Sequence, residues 1–210
     1  MSPDLPDILY RDERLILFDK PPGLLSVPGI GPEKADCLAS RVTEAMPGAR
    51  IVHRLDRDTS GIILMAMDAE AHRSLSIQFQ DRVVHKVYQA LASGHPAENE
   101  GVIDLPMRKD LDHPPRQIID HVHGRSAQTR WSVLDRGSDW TRFELRPVTG
   151  RSHQLRLHLQ QIGHPILGDD LYASGEMAGS ASRLCLHACQ LGFIHPSTAE
   201  WMEHASDCPF

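Results

Sequence analysis

The longest uninterrupted apolar stretch of the chain, Ile62–Met67, constrains the fold more than any other feature of the sequence. Its six residues match the length of a β-strand and fall far short of the roughly 20 residues that span a bilayer. Continuous apolarity over such a length is typical of a strand that is buried on both faces. We therefore exclude a helical membrane protein and predict a buried strand over Gly61–Met67.

Size and composition predict one compact domain. The chain has 210 residues, of which 40% are apolar and 24% charged, and it shows no internal repeat or low-complexity linker. We expect the domain to cover residues 8–196, with a flexible N-terminus at residues 1–7 and a tail at residues 197–210. The N-terminus is acidic and lacks an apolar stretch, so no secretory signal or transit peptide is indicated and we expect a cytoplasmic protein.

Short apolar runs and helical spacings predict an α+β fold with a largely antiparallel or mixed sheet flanked by helices. Besides Gly61–Met67, strands are predicted at Leu15–Phe18, Val87–Ala92, Gln128–Leu134, Thr141–Leu145, Leu184–Leu186 and Leu191–Ile194. Helices are predicted over Ala35–Ala45, from the N-cap Asp68 to about Asp81, and from the N-cap Ser152 to Gln161. The strands on either side of Gly137 are expected to form an antiparallel hairpin.

The four cysteines do not indicate a disulfide framework or a zinc site. Cys37, Cys185, Cys189 and Cys208 are too few and too irregularly spaced for disulfides to organise a chain of this length. The triplet Cys185, His187 and Cys189 lacks the second pair of ligands that structural zinc sites have. We expect reduced thiols, buried strand residues at the triplet and no metal.

The net charge of −6 argues against a nucleic-acid partner, because phosphate binding depends on lysine and arginine. Much of the acidity, however, lies in the first 14 and the last 14 residues. The stretch Arg142–His158 contains four arginines and only one acidic residue. A local basic patch on a mildly acidic protein is therefore possible.

A dense polar cluster, His53–Gly61, directly precedes the apolar strand. Charged residues beside a core strand are costly unless they are paired or used in chemistry. One interpretation is a solvated loop with Asp58 and Thr59 in a turn. The other makes Asp56 or Asp58 an ionised nucleophile or base that an arginine holds.

A second cluster, Thr149–Arg156, places a glycine turn and two arginines before a predicted helix. Backbone N–H groups at such a helix start can bind a phosphate or carboxylate, although a plain N-cap with exposed basic residues is equally compatible. The loop Gly163–Asp169 is most simply a rigid turn. The sequence contains no motif of a kinase, a phosphate-loop nucleotide-binding protein, an H-E-x-x-H zinc enzyme or a serine hydrolase.

Taken together, these motifs resemble those of the RluA-type pseudouridine synthases. Six blocks occur in the order found in that family and span about residues 8–196: Lys20–Gly29, His53–Asp56 with Thr59–Gly61, Lys86–Tyr88, Gly150–Arg156, Gly163–Asp169 and Leu184–Ala188. Each block alone is weakly diagnostic, whereas six in order are highly specific. The resemblance implies a catalytic domain of mixed, mostly antiparallel sheet and an enzyme that converts uridine in RNA to its C-glycoside isomer.

The resemblance also implies roles for individual residues. Asp56 would be the essential aspartate, Arg151 would keep its carboxylate ionised, and Tyr88 would stack on the extruded uracil. Arg54 would fill the space that the base leaves, and Leu186, with Leu184 as the nearest alternative, would line an apolar pocket. To the residues expected to contact RNA we add His53 and Arg156.

The implied reaction is a redox-neutral isomerisation, so we expect no metal and no organic cofactor. The resemblance to short family members implies 23S rRNA, tRNA anticodon stem-loops or both as partners. A stem-loop target is also expected because a uridine leaves its stack most easily in a loop. We expect a monomer with no membrane partner.

Two other functions remain open from the residues. A catalytically silent RNA-binding or ribosome-assembly module could use the same fold, although Asp56, Tyr88 and Arg151 are all present. A glycosidase-type hydrolase could use Asp56 and Asp58. Residues two apart in an extended segment point to opposite faces, however, which does not suit a paired acid and base.

Overall fold

The computed structural model describes residues 4–175 and 179–210, which form two compact units. The first unit comprises residues 4–86 and 187–209, and the second comprises Val87–Leu186 and Phe210. Residues 1–3, which belong to the predicted N-terminal segment, lie outside the described residues.

The described residues form strands and helices in the following order along the chain: β1 (Asp7–Arg11), β2 (Leu15–Lys20), a short 3-10 helix (Pro32–Lys34), α1 (Leu38–Ala45), β3 (Arg50–Ile51), β4 (Ser60–Ala66), α2 (Ala69–Gln80), β5 (His85–Ser93), β6 (Glu100–Asp104), β7 (Met107–Lys109), β8 (Gln117–Ile119), β9 (Gln128–Arg136), β10 (Trp140–Pro147), α3 (Gln154–Gln161), β11 (Leu186–Ile194) and β12 (Trp201–Ala205).

The sheet of the first unit is mixed and mostly antiparallel. Its strands follow the order β1, β2, β4, β11 and β12, with β3 beside β4. Only the pair formed by β4 and β11 is parallel among these described strands. The fold class expected from the sequence is confirmed.

Strand β4 is the centre of the first unit because all seven of its residues, Ser60–Ala66, are buried. Ile62 and Leu64 pack into a core cluster with Leu75 of helix α2. Gly61 has a φ of 109°, and a Cβ there would clash with the carbonyl oxygen of Ala188 on β11. The close approach of these two strands therefore requires glycine at this position.

The second unit contains an antiparallel sheet and a separate hairpin. The sheet has the order β5, β10, β9 and β6, and strands β7 and β8 pair with each other. The predicted hairpin on either side of Gly137 is present, as β9 and β10. Helix α3 contributes Leu155 and Leu159 to the core of this unit, where they join Phe143 and Leu145 of β10.

The start of helix α2 was predicted correctly, whereas the starts of α1 and α3 were not. Asp68 caps α2 by accepting hydrogen bonds from the backbone N–H groups of Glu70 and Ala71. Helix α1 begins only at Leu38, because Cys37 is its N-cap. The cap of α3 is His153 in the left-handed conformation, with a φ of 55°, so the prediction that Ser152 caps this helix is wrong.

The secondary structure of the C-terminal part of the chain also differs from the prediction. The strands expected at Leu184–Leu186 and Leu191–Ile194 are one strand, β11, which begins at Leu186. The predicted tail contains β12, which pairs with β11 from Gln190 to Ile194. A row of backbone partners on β11 orders this segment.

The described residues contain no helix that is long and apolar enough to cross a membrane. All four cysteines are free, and Cys37, Cys185 and Cys189 are buried. Cys189 lies in β11, whereas Cys185 directly precedes that strand.

Candidate active site

The polar cluster before β4 forms a tight turn that carries Asp56. The Thr59 N–H donates a hydrogen bond of 3.2 Å to the Asp56 carbonyl, and β4 begins at the next residue. Asp56 itself is half-buried. Its backbone position is therefore tied directly to the central strand of the first unit.

A buried lysine anchors this turn on its C-terminal side. The Lys20 ammonium is completely buried and donates hydrogen bonds to the carbonyl oxygens of Pro21 (2.8 Å), Leu24 (2.8 Å) and Arg57 (2.9 Å). The Arg57 carbonyl also accepts the Gly23 N–H at 2.9 Å. A buried charge is tolerated where several oxygens solvate it, as these carbonyls do.

A serine anchors the same turn on its N-terminal side. The Ser26 hydroxyl donates to the Leu55 carbonyl at 2.6 Å and accepts from the Leu55 N–H at 3.1 Å. Leu55 and Arg57 are the two neighbours of Asp56, and the carbonyl group of each is bonded to the segment 20–26. A carboxylate on such a preorganised backbone needs little reorganisation to react.

Sequence reasoning assigned no role to Lys20 or Ser26. The available signal was a lysine that ends an apolar strand and is followed by Pro21, Pro22 and Gly23.

His53 supports the strand that follows the turn. Its Nε2 accepts the Leu64 N–H at 3.0 Å, and its ring stacks on Phe79 at a centroid distance of 4.6 Å. Burial and, to a smaller extent, the nearby charge of Lys86 lower the pKa of His53 from 6.5 to about 3. The ring is therefore neutral, and its observed contacts are structural, while the predicted contact with RNA stays a prediction.

The two arginines beside Asp56 have different surroundings. Arg54 is exposed. The Arg57 guanidinium donates to both carboxylate oxygens of Asp58, at 2.9 and 3.1 Å. Asp58 lies in the turn as predicted, but its carboxylate binds an arginine rather than backbone N–H groups.

The second unit places Tyr88 and Leu186 against one apolar cluster. Tyr88 lies in β5 opposite Leu145 of β10, and its half-buried ring packs on a core that contains Leu186. Leu186 is 3% exposed. The structure thus brings together an aromatic ring and the expected apolar side chain.

Gln154 organises the segment that carries Arg151. Its Oε1 accepts from the Thr149 hydroxyl (2.7 Å) and the Arg151 N–H (3.0 Å), and its Nε2 donates to the Gln128 carbonyl and the Thr129 hydroxyl, both at 3.0 Å. The Arg151 side chain donates through Nε to the Ser126 carbonyl at 3.2 Å. Gln154 thus holds the backbone of Arg151 and occupies one of the N–H groups that could have bound an anion.

Arg156 lies inside the second unit. Its side chain is 2% exposed, and its guanidinium donates to both oxygens of Asp169, at 2.8 and 2.6 Å, and to Asp170 at 3.0 Å. Asp169 also accepts the N–H groups of Leu171 and Tyr172. Arg156 therefore holds the loop that was interpreted as a rigid turn. The predicted contact of Arg156 with RNA stays a prediction, and its burial argues against that contact.

The chemistry available follows from these groups. The first unit supplies a carboxylate on a rigid turn, which can act as a nucleophile or a base. The second unit supplies an aromatic ring beside an apolar cluster and a half-buried guanidinium. Within the described part of the chain, no group of histidine, cysteine, aspartate or glutamate side chains could hold a metal ion.

Comparisons with known proteins give one consistent answer. Residues 14–161 match the family model described as RNA pseudouridylate synthase. The dual-specificity RNA pseudouridine synthase RluA of Yersinia pestis is 46% identical over 97% of this chain and 99% of that protein. The protein of the same name from Escherichia coli K12 is 44% identical over 97% of this chain and 93% of that protein.

Solved structures agree with the sequence relatives. The human RNA pseudouridylate synthase domain containing 1 superimposes with a TM-score of 0.82 and 28% identity, covering 100% of this chain and 86% of that one. The similarity thus extends over sequence, fold and nearly the full length of the relatives. The chain belongs to the RNA pseudouridylate synthase family and is an isomerase that acts on uridine in RNA.

Proposed function

We propose that this chain isomerises uridines in structured loops of both 23S rRNA and tRNA, with Asp56 as its catalytic carboxylate. One observation carries the assignment of Asp56: hydrogen bonds from Ser26 and Lys20 hold the carbonyl groups of both residues that flank it. A carboxylate needs such a fixed position to assist cleavage of the bond between N1 and C1′ while the base stays bound. C5 then bonds to C1′, N1 gains a proton, and C5 loses its hydrogen.

Each remaining site residue takes a role from its chemistry. Tyr88 stacks on the extruded uracil, and Leu186 provides apolar contact to the ring. The guanidinium of Arg151 favours the ionised carboxylate of Asp56. Arg54 is exposed, as a side chain that replaces the flipped base in its stack needs to be.

The similarity to dual-specificity relatives supports more than one RNA substrate. A loop that presents an easily extruded uridine is the feature such substrates would share. Because the net charge is −6, RNA binding must depend on local basic residues, and such binding weakens as the salt concentration rises. We also propose that the enzyme is a monomer and that it acts in the cytoplasm, where these RNAs are found.

Release of tritium tests the proposal. The substrates are tRNA and 23S rRNA fragments whose uridines are tritiated at C5, and the isomerisation exchanges that tritium into water. We expect release by the wild type from both RNAs and none by Asp56→Asn. The matched control is Asp58→Asn, which removes the neighbouring carboxylate and should retain activity.

Other outcomes would decide against parts of the proposal. Release from one RNA class alone would refute dual specificity, and release from neither by the folded protein would favour the silent RNA-binding module. Activity in Asp56→Asn would remove Asp56 from the chemistry. Formation of free uracil would show hydrolysis in place of isomerisation.

A further inference from the structure

The first unit contains a buried chain of polar side chains to which the reaction assigns no role. The Ser60 hydroxyl lies 2.7 Å from Nδ1 of His187, and Nε2 of His187 lies 3.0 Å from the Ser206 hydroxyl. Ser206 in turn donates to the Asp19 carboxylate at 2.7 Å. The residues Ser60, His187 and Ser206 are 3%, 2% and 9% exposed.

The direction of these hydrogen bonds follows from the carboxylate at the end. An ionised carboxylate only accepts, so the Ser206 proton points to Asp19 and the Ser206 oxygen accepts from Nε2–H of His187. In the neutral imidazole Nδ1 then has a lone pair, which accepts the proton of Ser60. Every hydrogen in the chain therefore points towards Asp19.

This chain ends where the catalytic turn enters the sheet. Ser60 is the first residue of β4 and directly follows Thr59, whose N–H closes the turn on the Asp56 carbonyl. Ser60 is also the residue of β4 that lies opposite His187 in the parallel pair with β11. The hydrogen bond between the Ser60 side chain and His187 thus restrains the position of the start of β4.

The far end of the chain comes from the C-terminal segment. Ser206 directly follows β12, and its N–H donates to the Cys189 carbonyl of β11 at 2.8 Å. Loss of the Ser206 hydroxyl would leave a buried imidazole N–H without this acceptor, which is costly enough to move the ring. A change at residue 206 would then be transmitted through His187 to Ser60.

We propose that Ser206 and Asp19, acting through His187 and Ser60, are positioning residues for the turn that carries Asp56. The inference rests on the proposed catalytic role of Asp56. It assigns to the C-terminal strand a part in catalysis, since β12 brings Ser206 to this chain.

Single-turnover kinetics with a tritiated RNA stem-loop test the proposal. We expect Ser206→Ala to lower the rate of the chemical step by about tenfold or more while the Kd for RNA stays unchanged, because misplacement of a reacting group affects rate rather than binding. Ser206→Thr, which keeps the hydroxyl, should restore most of the rate. Ser197→Ala, at an exposed serine of the same unit, should leave it unchanged.

A double-mutant cycle separates positioning from a general loss of stability. If Ser60 and Ser206 act through one chain, Ser60→Ala with Ser206→Ala should lose no more rate than the more severe single variant. Losses that multiply, or a Ser206→Ala rate equal to that of the wild type, would overturn the inference. If the wild type itself forms no pseudouridine, the proposed function fails rather than this step.

The protonation of His187 gives a readout that needs no variant. We expect the imidazole ¹⁵N spectrum of the wild type to show Nε2 protonated and Nδ1 unprotonated. If Ser206→Ala does not fold, the ¹⁵N spectrum of the wild type and the rate of Ser206→Thr test the proposal instead. Protonation of Nδ1 alone would contradict the chain.

Discussion

The turn that carries Asp56 and the segment that carries Arg151 are held by different chemistry. Around Asp56, single side chains from a neighbouring segment bind the backbone directly, with Lys20 and Ser26 as donors. Around Arg151, one side-chain amide, that of Gln154, joins three segments, and the helix behind it is fixed by a buried ion pair. The first arrangement controls backbone position, whereas the second resists unfolding of a whole loop. Disruption should therefore cost mainly activity in the first region and mainly stability in the second.

The largest effect on stability should come from the ion pair between Arg156 and Asp169. Arg156→Met leaves a fully buried carboxylate without its guanidinium, so the free energy of unfolding should fall by about 3–5 kcal/mol. Urea unfolding measures this loss. The control Arg146→Met removes an exposed pair with Glu144 and should change stability by less than about 1 kcal/mol. Equal effects of the two variants would contradict the comparison.

A smaller loss of stability but a larger loss of activity is expected at Lys20. Lys20→Met removes a donor from three carbonyl oxygens, of which the Arg57 carbonyl keeps the Gly23 N–H, and should cost about 3 kcal/mol of unfolding free energy. The remaining folded protein should isomerise RNA more slowly, because the backbone that follows Asp56 is held less firmly. Tritium release per folded molecule measures this, with the exposed Lys34→Met as control. Full activity in Lys20→Met would show that the anchor is not needed.

The pH dependence of the free energy of unfolding should show the contribution of the neutral His53 ring. The unfolded chain binds a proton on this histidine below about pH 6.5, whereas the folded protein does so only near its pKa of about 3. Stability contributed by the neutral ring is therefore present above pH 6.5 and is lost as the pH falls towards 3, by at most about 1.4 kcal/mol per pH unit.

The variant His53→Gln isolates this contribution. Glutamine can still accept the Leu64 N–H through its oxygen but does not titrate. We expect stability near that of the wild type at pH 7.5 and a shallower decline between pH 6.5 and 4. Denaturation curves at several pH values measure the difference between the two proteins. Parallel curves would indicate that His53 titrates normally.

The smallest effect is expected at Asp58. Its pair with Arg57 is partly exposed, with 26% of the Asp58 side chain and 56% of the Arg57 side chain accessible. Asp58→Asn should change the free energy of unfolding by less than about 1 kcal/mol and leave the rate of isomerisation unchanged. A large loss of rate would reopen the interpretation in which both carboxylates take part in the chemistry.

Features that depend on neighbouring residues were predictable. The Asp68 cap, the turn that includes Asp58 and Thr59, and the hairpin around Gly137 all appear in the structure. In each case the partners are close in sequence, so the residue types determine the geometry. Order of the motifs along the chain also predicted the family.

Features that depend on distant residues were not predictable. Strand β12 is ordered by its pairing with β11, and Ser206 bonds to Asp19 across 187 positions of sequence. Arg156 was expected to contact RNA, yet its side chain is buried and bonded to Asp169, thirteen residues later. The capping of helix α3 by His153 could not be predicted either, because the residue types around Ser152 do not indicate that the next residue adopts the left-handed conformation.

The sequence by itself determined the fold class and the presence of the central apolar strand, because these depend on periodicity. Its resemblance to a family, carried by motifs of contiguous residues, predicted the reaction family and Asp56 as the candidate carboxylate. Only the tertiary structure decided which polar groups are buried and bonded, and so assigned Lys20 and Ser26 to the turn that carries Asp56 and Arg156 to the interior. The physical reason is that the cost of burying a polar group is set by partners brought together by folding, which no local pattern records.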